Sequence, residues 1–381
     1  MDTARGARQA DCEEGVGTMN SDNRKVGIVT LYGRFNYGNR LQNYAITRIW
    51  QEFGYEPESL VLGERPNAIR LAKHLAKGLL GIKVIDPEDL MSTERLAAFD
   101  RFNGKIATRN LGDIPRQLAD EYTLFSVGSD QVWNPALITY NDDWYFLEFA
   151  RAEQRVALAP SIGLDSLDAG QARRLARGVR GFEHPSVRER RGAELIKECS
   201  GIDAEIICDP TLVLAPKEWR SVADGRRTPA EPYVFTYLLG GMSDDAKKVL
   251  DHVTEHGQLP VVPLSDREKP EEPPAGPAEF IDLINHASHV VTDSFHAAVF
   301  SCLMETPLTI VRRGGDGSGM FSRLETLTEM LDITGKVYRS ENFHLSSAGD
   351  YAGVSERIQS ERDHFVSYLS SRIKAADGRR D

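Results

Sequence analysis

From Lys25 onward, short apolar runs alternate with amphipathic stretches. "VGIVTL" (26–31) has the length of a buried strand and leads into a Gly/Asn-rich loop. Leu41, Ala45, Ile46, Ile49, Trp50 and Phe53 then share one face of a helix that Gly54 ends, with Asn39 and Gln42 at capping-box spacing near its start. "ESLVL" reads as the next strand, and the charged stretches 66–80 and 86–103 read as helices. The basic face of the first, with Arg70, Lys73 and Lys77, reads as solvated. "YTLFSV" (122–127) and "RVALAPS" are further strands, followed by a helix near 167–181. "PSVRE", the helix "RRGAELIKECS" and the strand-like "AEIICDPTLVL" continue the alternation.

"DGRRTPAEP" (224–232) breaks the pattern and reads as a linker. Beyond it the idiom repeats, with strands "YVFTYLLG" and "LPVVPLS" around the helix "DDAKKVLDHVTEH". "DREKPEEPPAGP" (266–277) reads as a charged surface loop. Next come the helix "AEFIDLINHA", strand "HVVTD", helix "HAAVFSCLM" and strand "TPLTIVRR". A Gly-rich loop and a helix from Ser322, with Glu325 at capping-box spacing, follow, and the last helix spans about 353–375. Strand, loop and helix in repetition predict parallel sheets: an α/β fold of two Rossmann-like domains facing a cleft. The predicted division is a disordered extension 1–24, domains 25–228 and 229–340, and a C-terminal helix and tail 341–381 that packs across both.

The length of 381 residues suits two domains, and 41% hydrophobic with 27% charged residues is ordinary for a globular chain. A net charge of −11 argues against a general nucleic-acid binder, so an anion would need a locally basic pocket. Cys12, Cys199, Cys208 and Cys302 form no metal-ligand spacing and read as free thiols in a reducing compartment. The first residues lack the apolar core of a signal peptide, and no run approaches the ~20 residues of a membrane span. A cytoplasmic location is expected, with no metal and no transmembrane segment.

Ligands of such sheets gather beyond the carboxyl ends of strands, against helix N-termini. In "TDSFHAAVFS" (292–301), Ser294 and His296 stand where a buried strand turns into a helix. Two readings stand open there: a helix start with a satisfied histidine, or an anion site holding a catalytic acid. Arg312 and Arg313 end the next strand and Arg323 opens the following helix, which suits bidentate holding of phosphate or carboxylate. "GSDQVWNP" puts Asp130 and Trp133 just past another strand. "GGDGSG" lacks the lysine of a phosphate-binding loop.

Seven motifs in order, "NYGNRLQNYA", "VGSDQVWNP", "YFLEFA", "SVRERRGAELI", "DPTLVL", "VVTDSFHAAVFS" and "MFSRLETL", resemble the polysaccharide pyruvyl transferase family from about Lys25 to Ile333. The resemblance implies a GT-B-like fold and transfer of pyruvate from phosphoenolpyruvate, a donor substrate and not a cofactor, onto two sugar hydroxyls as a ketal. It assigns Ser294, His296, Arg323 and one of Arg312 and Arg313 to the donor on the C-terminal side, with Arg188 of the N-terminal domain joining them. His296, Arg188 and Asp130 become the expected catalytic set, with His296 either the proton donor or a phosphate ligand. This chain has Ala297 where the family usually has Gly, and Phe321 where it often has Asn. The acceptor, a sugar, glycan or glycosylated small molecule, is expected on the N-terminal side at Asn39, Gln42, Asn43 and Trp133. Arg34 and Arg40 would add charge for a phosphorylated carrier. The rival functions are a glycosyltransferase using a nucleotide sugar and a non-catalytic phospho-glycan-binding module; homo-oligomerisation is left open.

Overall fold

The structure is a computed structural model that describes residues 24–34, 36–63, 87–138, 141–313, 321–340 and 348–378. The expected extension at residues 1–18, the helix 66–80 with Arg70, Lys73 and Lys77, and the loop "GGDGSG" lie outside them.

Two parallel sheets organise the chain. The first contains β1 (Lys25–Val29), β2 (Glu56–Leu62), β3 (Thr108–Leu111), β4 (Leu124–Val127) and β5 (Arg155–Ala157), in the order β3-β2-β1-β4-β5. A two-stranded ribbon of β6 (Ser186–Val187) and β7 (Glu205–Ile206) follows. The second sheet joins β8 (Val234–Tyr237), β9 (Val261–Leu264), β10 (His289–Thr292) and β11 (Leu308–Ile310) in the order β11-β10-β8-β9. β1, β4, β8, β10 and β11 are buried along their whole or nearly whole length, as their continuous Val, Ile, Leu and Phe runs require. The polar edge strand β3 carries no apolar run, which is why sequence pattern misses it.

In each sheet the winding direction reverses beside the first strand. Chain order runs outward from β1 through β2 to β3, then restarts on the other side with β4. In the second sheet the reversal lies between β8 and β10. A crevice opens at the carboxyl ends of strands at each such point, and the residues following β1, β4, β8 and β10 line one common cleft.

Helix α1 (Tyr37–Glu52) begins one turn earlier than expected. Its N-cap is Asn36, whose side chain accepts from the Asn39 N–H at 3.0 Å. The anticipated Asn39/Gln42 box is absent because Gln42 donates to Thr30 Oγ1 at 2.7 Å instead. Helix α2 (Thr93–Asn103) crosses to the second sheet's side. There Arg95, wholly buried, pairs with Glu272 at 3.2 Å and donates to the Ser265 carbonyl. The segment 266–277 is therefore not a free surface loop: Glu272 is buried against Arg95 of α2, and the carbonyl of the buried Ala275 accepts from Tyr37 Oη of α1 at 3.0 Å.

The remaining long helices are α3 (Ala169–Val179), α4 (Arg190–Ser200), α5 (Asp244–Val253), α6 (Pro277–Asn285), α7 (Phe295–Met304), α8 (Ser322–Met330) and α9 (Val354–Asp377). α7 is buried along its whole length, a central rod and not a surface helix. α8 has Phe321 at its N-cap with no side-chain cap bond, and the expected Ser322/Glu325 box is absent; Glu325 instead accepts from Arg312 at 3.1 Å. α9 bonds the first sheet through Tyr368 Oη, which donates to the Ala157 carbonyl at 2.9 Å. Its start reaches the other side, where Ser355 Oγ donates to Glu305 at 3.3 Å. Among the described residues no helix is long and apolar enough to cross a membrane, and Cys199, Cys208 and Cys302 are free thiols.

Candidate active site

The cleft between the sheets encloses about 510 Å³. β10 delivers one wall. Past Thr292 the chain turns at Asp293, whose carboxylate accepts the backbone N–H groups of Leu239 and Gly240 at 2.7 Å each. Asp293 thus ties the loop after β8 to the loop after β10. Ser294 occupies the N-cap position of α7 without a side-chain cap bond, and it faces the cleft beside Phe295 and His296.

His296 is buried, yet none of the described residues hydrogen-bonds its ring. Nε2 lies 3.8 Å from Asp209 Oδ2. Nδ1 lies on the side of Gly38, where a Cβ on the glycine would approach it to 2.0 Å. The first turns of α1 and α7, one from each sheet, therefore meet at this imidazole, and Gly38 lines the cleft.

Beneath the histidine lies a buried charge cluster built by the β6–β7 ribbon. Arg188 follows β6, and Asp209 stands beyond β7. Arg188 Nη1 donates to Asp209 Oδ2 at 2.6 Å and Nη2 to Asp130 Oδ1 at 3.3 Å. The Arg188 guanidinium lies 4.5 Å from the Phe295 ring centroid. Asp209 divides its oxygens: Oδ1 accepts Thr211 N–H at 3.0 Å and caps the short helix Pro210–Val213, while Oδ2 serves Arg188 and Ser129. Burial alone would raise the Asp209 carboxyl, but Arg188 and His296 with the Thr211 bonds hold it near a pKa of about 2. Asp130, accepting from Asn39 Nδ2 as well, is likewise held below the usual range by Arg188, His296 and Arg323 against burial.

His296 responds to the same surroundings. Burial pushes its pKa below the ordinary value, and Arg188 and Arg323 add to this while Asp209 and Asp130 oppose it. The imidazole rests neutral at pH 7. Nε2 faces Asp209, and Nδ1 is the ring atom nearest Gly38.

Cationic charge enters from α8 and the end of β11. Arg323 is buried, its Nε without a partner, and burial next to Arg188 lowers its pKa to about 10. Arg313 stands beside it on the cleft wall, 3.5 Å from Asp293. A buried guanidinium nitrogen lacking a partner is suited to an anionic ligand.

The sequence model of the polysaccharide pyruvyl transferases matches residues 36–314, from the N-cap of α1 to the end of the arginine pair after β11. The chain belongs to the polysaccharide pyruvyl transferase family. Membership places it among the transferases. No curated protein matches it. Solved structures that align with it include the S. aureus MnaA–UDP co-structure, 8% identical over 93% of this chain and 97% of that one, TM-score 0.47. A UDP-GlcNAc 2-epimerase from Neisseria meningitidis bound to UDP-GlcNAc is 9% identical over 90% and 94%, TM-score 0.40. A glycosyltransferase from a Streptomyces species complexed with thymidine diphosphate is 11% identical over 90% and 96%, TM-score 0.39.

In this pyruvyl transferase family member the cleft gathers Asn39, Asp130, Ser294, His296, Arg313 and Arg323. Other expected residues lie elsewhere. Trp133 is fully buried, stacked on Phe146, with its indole N–H given to the Tyr145 carbonyl at 3.0 Å, so it is core and no sugar platform. Gln42 accepts the Ser129 N–H at 2.8 Å and Asn43 accepts Ser59 Oγ at 2.8 Å; both brace the sheet beneath the site. Arg312 stacks on Phe321 and faces a separate cavity of about 310 Å³ with Arg190 and Arg191. Arg188 does not line the cleft but holds its carboxylates. Arg34 is engaged by Glu88, and Arg40 is buried against Leu31 and Tyr32.

Asp209, Gly38, Tyr237 and Asp266 were not legible as site residues. Asp209 stands in "DPTLVL", where Asp before Pro reads as a helix cap, which it also is. Asp266 sits in a run of charges that gives it no distinction.

Proposed function

We propose that this protein moves the pyruvyl group of phosphoenolpyruvate onto two hydroxyls of a sugar, forming a cyclic ketal and releasing phosphate. The observation that carries this reading is a buried histidine, its Nε2 3.8 Å from Asp209, beside a buried cationic corner at the meeting point of two crevices. Phosphoenolpyruvate brings a phosphate and a carboxylate, which Arg323, Arg313 and the N-terminus of α7 are placed to hold. His296 takes the proton of the attacking hydroxyl at Nδ1, and the imidazolium is stabilised through Nε2 by Asp209. Asp130, kept ionised by Arg188, supports positive charge developing at C2. Of the two hydroxyl protons, one is balanced by the new methyl group and the other leaves with phosphate. The acceptor approaches from the α1 side, past Asn36, Asn39 and Tyr32.

The test is phosphate release from phosphoenolpyruvate in the presence of sugar diols, with mass spectrometry of the sugar. The expected product has gained pyruvate less one water. Glycosyl transfer from a UDP-sugar, with phosphoenolpyruvate left intact, would sink the proposal.

A further inference from the structure

Ketal formation also needs a proton delivered to C3, and a neutral His296 that accepts one from the hydroxyl does not supply it. A second protonic group enters the cleft from the β9 loop. Asp266 lines it together with Ser294, His296, Arg313 and Arg323.

Its placement is fixed on several sides. Tyr237 Oη donates to Asp266 Oδ1, and Tyr237 is itself held edge-on by Tyr37 and Phe280, with ring centroids 5.4 Å away in each case. The preceding residue, Ser265, gives its N–H to Glu272 at 3.0 Å and its carbonyl to Arg95. The buried Arg95–Glu272 pair thus locks the loop onto α2. Among the described residues nothing hydrogen-bonds Asp266 Oδ2. One oxygen is positioned and the other is left for a ligand.

We propose that Asp266 is the acid that protonates C3 of phosphoenolpyruvate, an assignment that rests on the pyruvyl-transfer reading. The Oδ2–H bond breaks as the C2=C3 electron pair forms the new C3–H bond, leaving a cation at C2. The first hydroxyl oxygen bonds C2 while its proton passes to His296 Nδ1. The C2–O bond to phosphate then breaks, its electron pair leaving with phosphate. The second hydroxyl closes the ring and its proton goes to the phosphate. His296 afterwards loses its proton to solvent, and Asp266 regains one.

The groups facing Asp266 fit this role. Burial raises its pKa; Asp293 adds to that, while the Tyr237 hydroxyl, Arg95 and Arg313 pull the other way and do not overcome it. A carboxyl pushed up and an imidazole pushed down in one cleft form an acid–base pair.

Asp266→Asn and Asp266→Glu test the assignment, with methyl hexopyranosides as acceptors and phosphoenolpyruvate as donor. For Asp266→Asn, kcat should fall about 10²–10⁴-fold, while calorimetry shows donor Kd unchanged, since a neutral amide replaces a neutral carboxylic acid. The alkaline limb of the kcat/KM profile should vanish, and Asp266→Glu should restore part of the rate. A structural role would instead weaken donor binding and lower the Tm with the limb intact, overturning the assignment, as would an Asp266→Asn enzyme that turns over like wild type. A wild-type protein that binds phosphoenolpyruvate yet releases phosphate with none of the sugars is a different failure: it overturns the pyruvyl-transfer reading and the acid assignment with it.

Discussion

Gly38 and His296 meet with no room for a methyl group between them: a Cβ on Gly38 would lie 2.0 Å from Nδ1. The contact joins the first turn of a helix from each sheet and fixes where the imidazole ring sits. Gly38→Ala must therefore displace the ring. We expect a loss of about 1–3 kcal/mol of stability from overpacking and a fall in kcat larger than the change in donor Kd. Wild-type turnover in the Gly38→Ala enzyme would show that the ring position is not needed for chemistry.

Arg188 and Arg323 should separate sharply on substitution. Arg188→Met strands Asp209 and Asp130 in the interior, and breaking such a pair costs about 3–5 kcal/mol. Arg323→Met removes a buried guanidinium whose Nε has no partner, so the Tm should hold or rise while donor Kd weakens at least about 10-fold. Thermal melts and calorimetric titration with phosphoenolpyruvate check both. Equal loss of stability in the two variants would contradict the division of labour.

Trp133→Ala should act on the core alone. Its loss costs about 3–5 kcal/mol, with acceptor KM unchanged in the protein that remains folded. Asn39→Ala, by contrast, removes a donor to Asp130 at the cleft and should raise acceptor KM or lower kcat with little change in Tm. An acceptor effect of Trp133→Ala in well-folded enzyme would return the indole to the binding site.

His289 gives the pH dependence of stability a definite sign. Burial, with Lys336 nearby, pushes its pKa down to about 4. The unfolded chain takes up a proton below its ordinary value near ~6.5, and the folded protein does so only near 4, so stability is lost as pH falls through that window. The contribution is about 3 kcal/mol across the full window. Denaturant unfolding from about pH 7.5 to 4.5 should show this slope, and His289→Thr should flatten it. An unchanged slope in the variant would assign the effect to other groups.

The alternation of strands and helices was legible in the chain because a strand buried on both faces must be apolar throughout, and an amphipathic helix must repeat near 3.6 residues. His296, Ser294 and Arg323 stood out in the chain as polar residues at helix starts among apolar neighbours, and the fold brings all three to the cleft. The cap of α1 was misplaced by one turn because Asn36 and Asn39 both suit the position and only the backbone path chooses between them.

What tertiary structure decided is which charges share a space. Sequence offered Arg188 as a donor clamp; the fold places it under Phe295 between Asp130 and Asp209, residues from different strands and far apart in the chain. It offered Trp133 as a platform, and the packing of Phe146 and Phe182 around the indole makes it core. Arg312 and Arg313 are adjacent in sequence, yet successive residues at a strand end point to opposite sides, and only Arg313 reaches the cleft. The histidine's protonation state follows from burial and from Asp209, Arg188, Asp130 and Arg323, all of them remote from it along the chain. Periodicity is a local property, fixed by the sequence alone; electrostatic environment is a sum over space, and only the folded chain sets it.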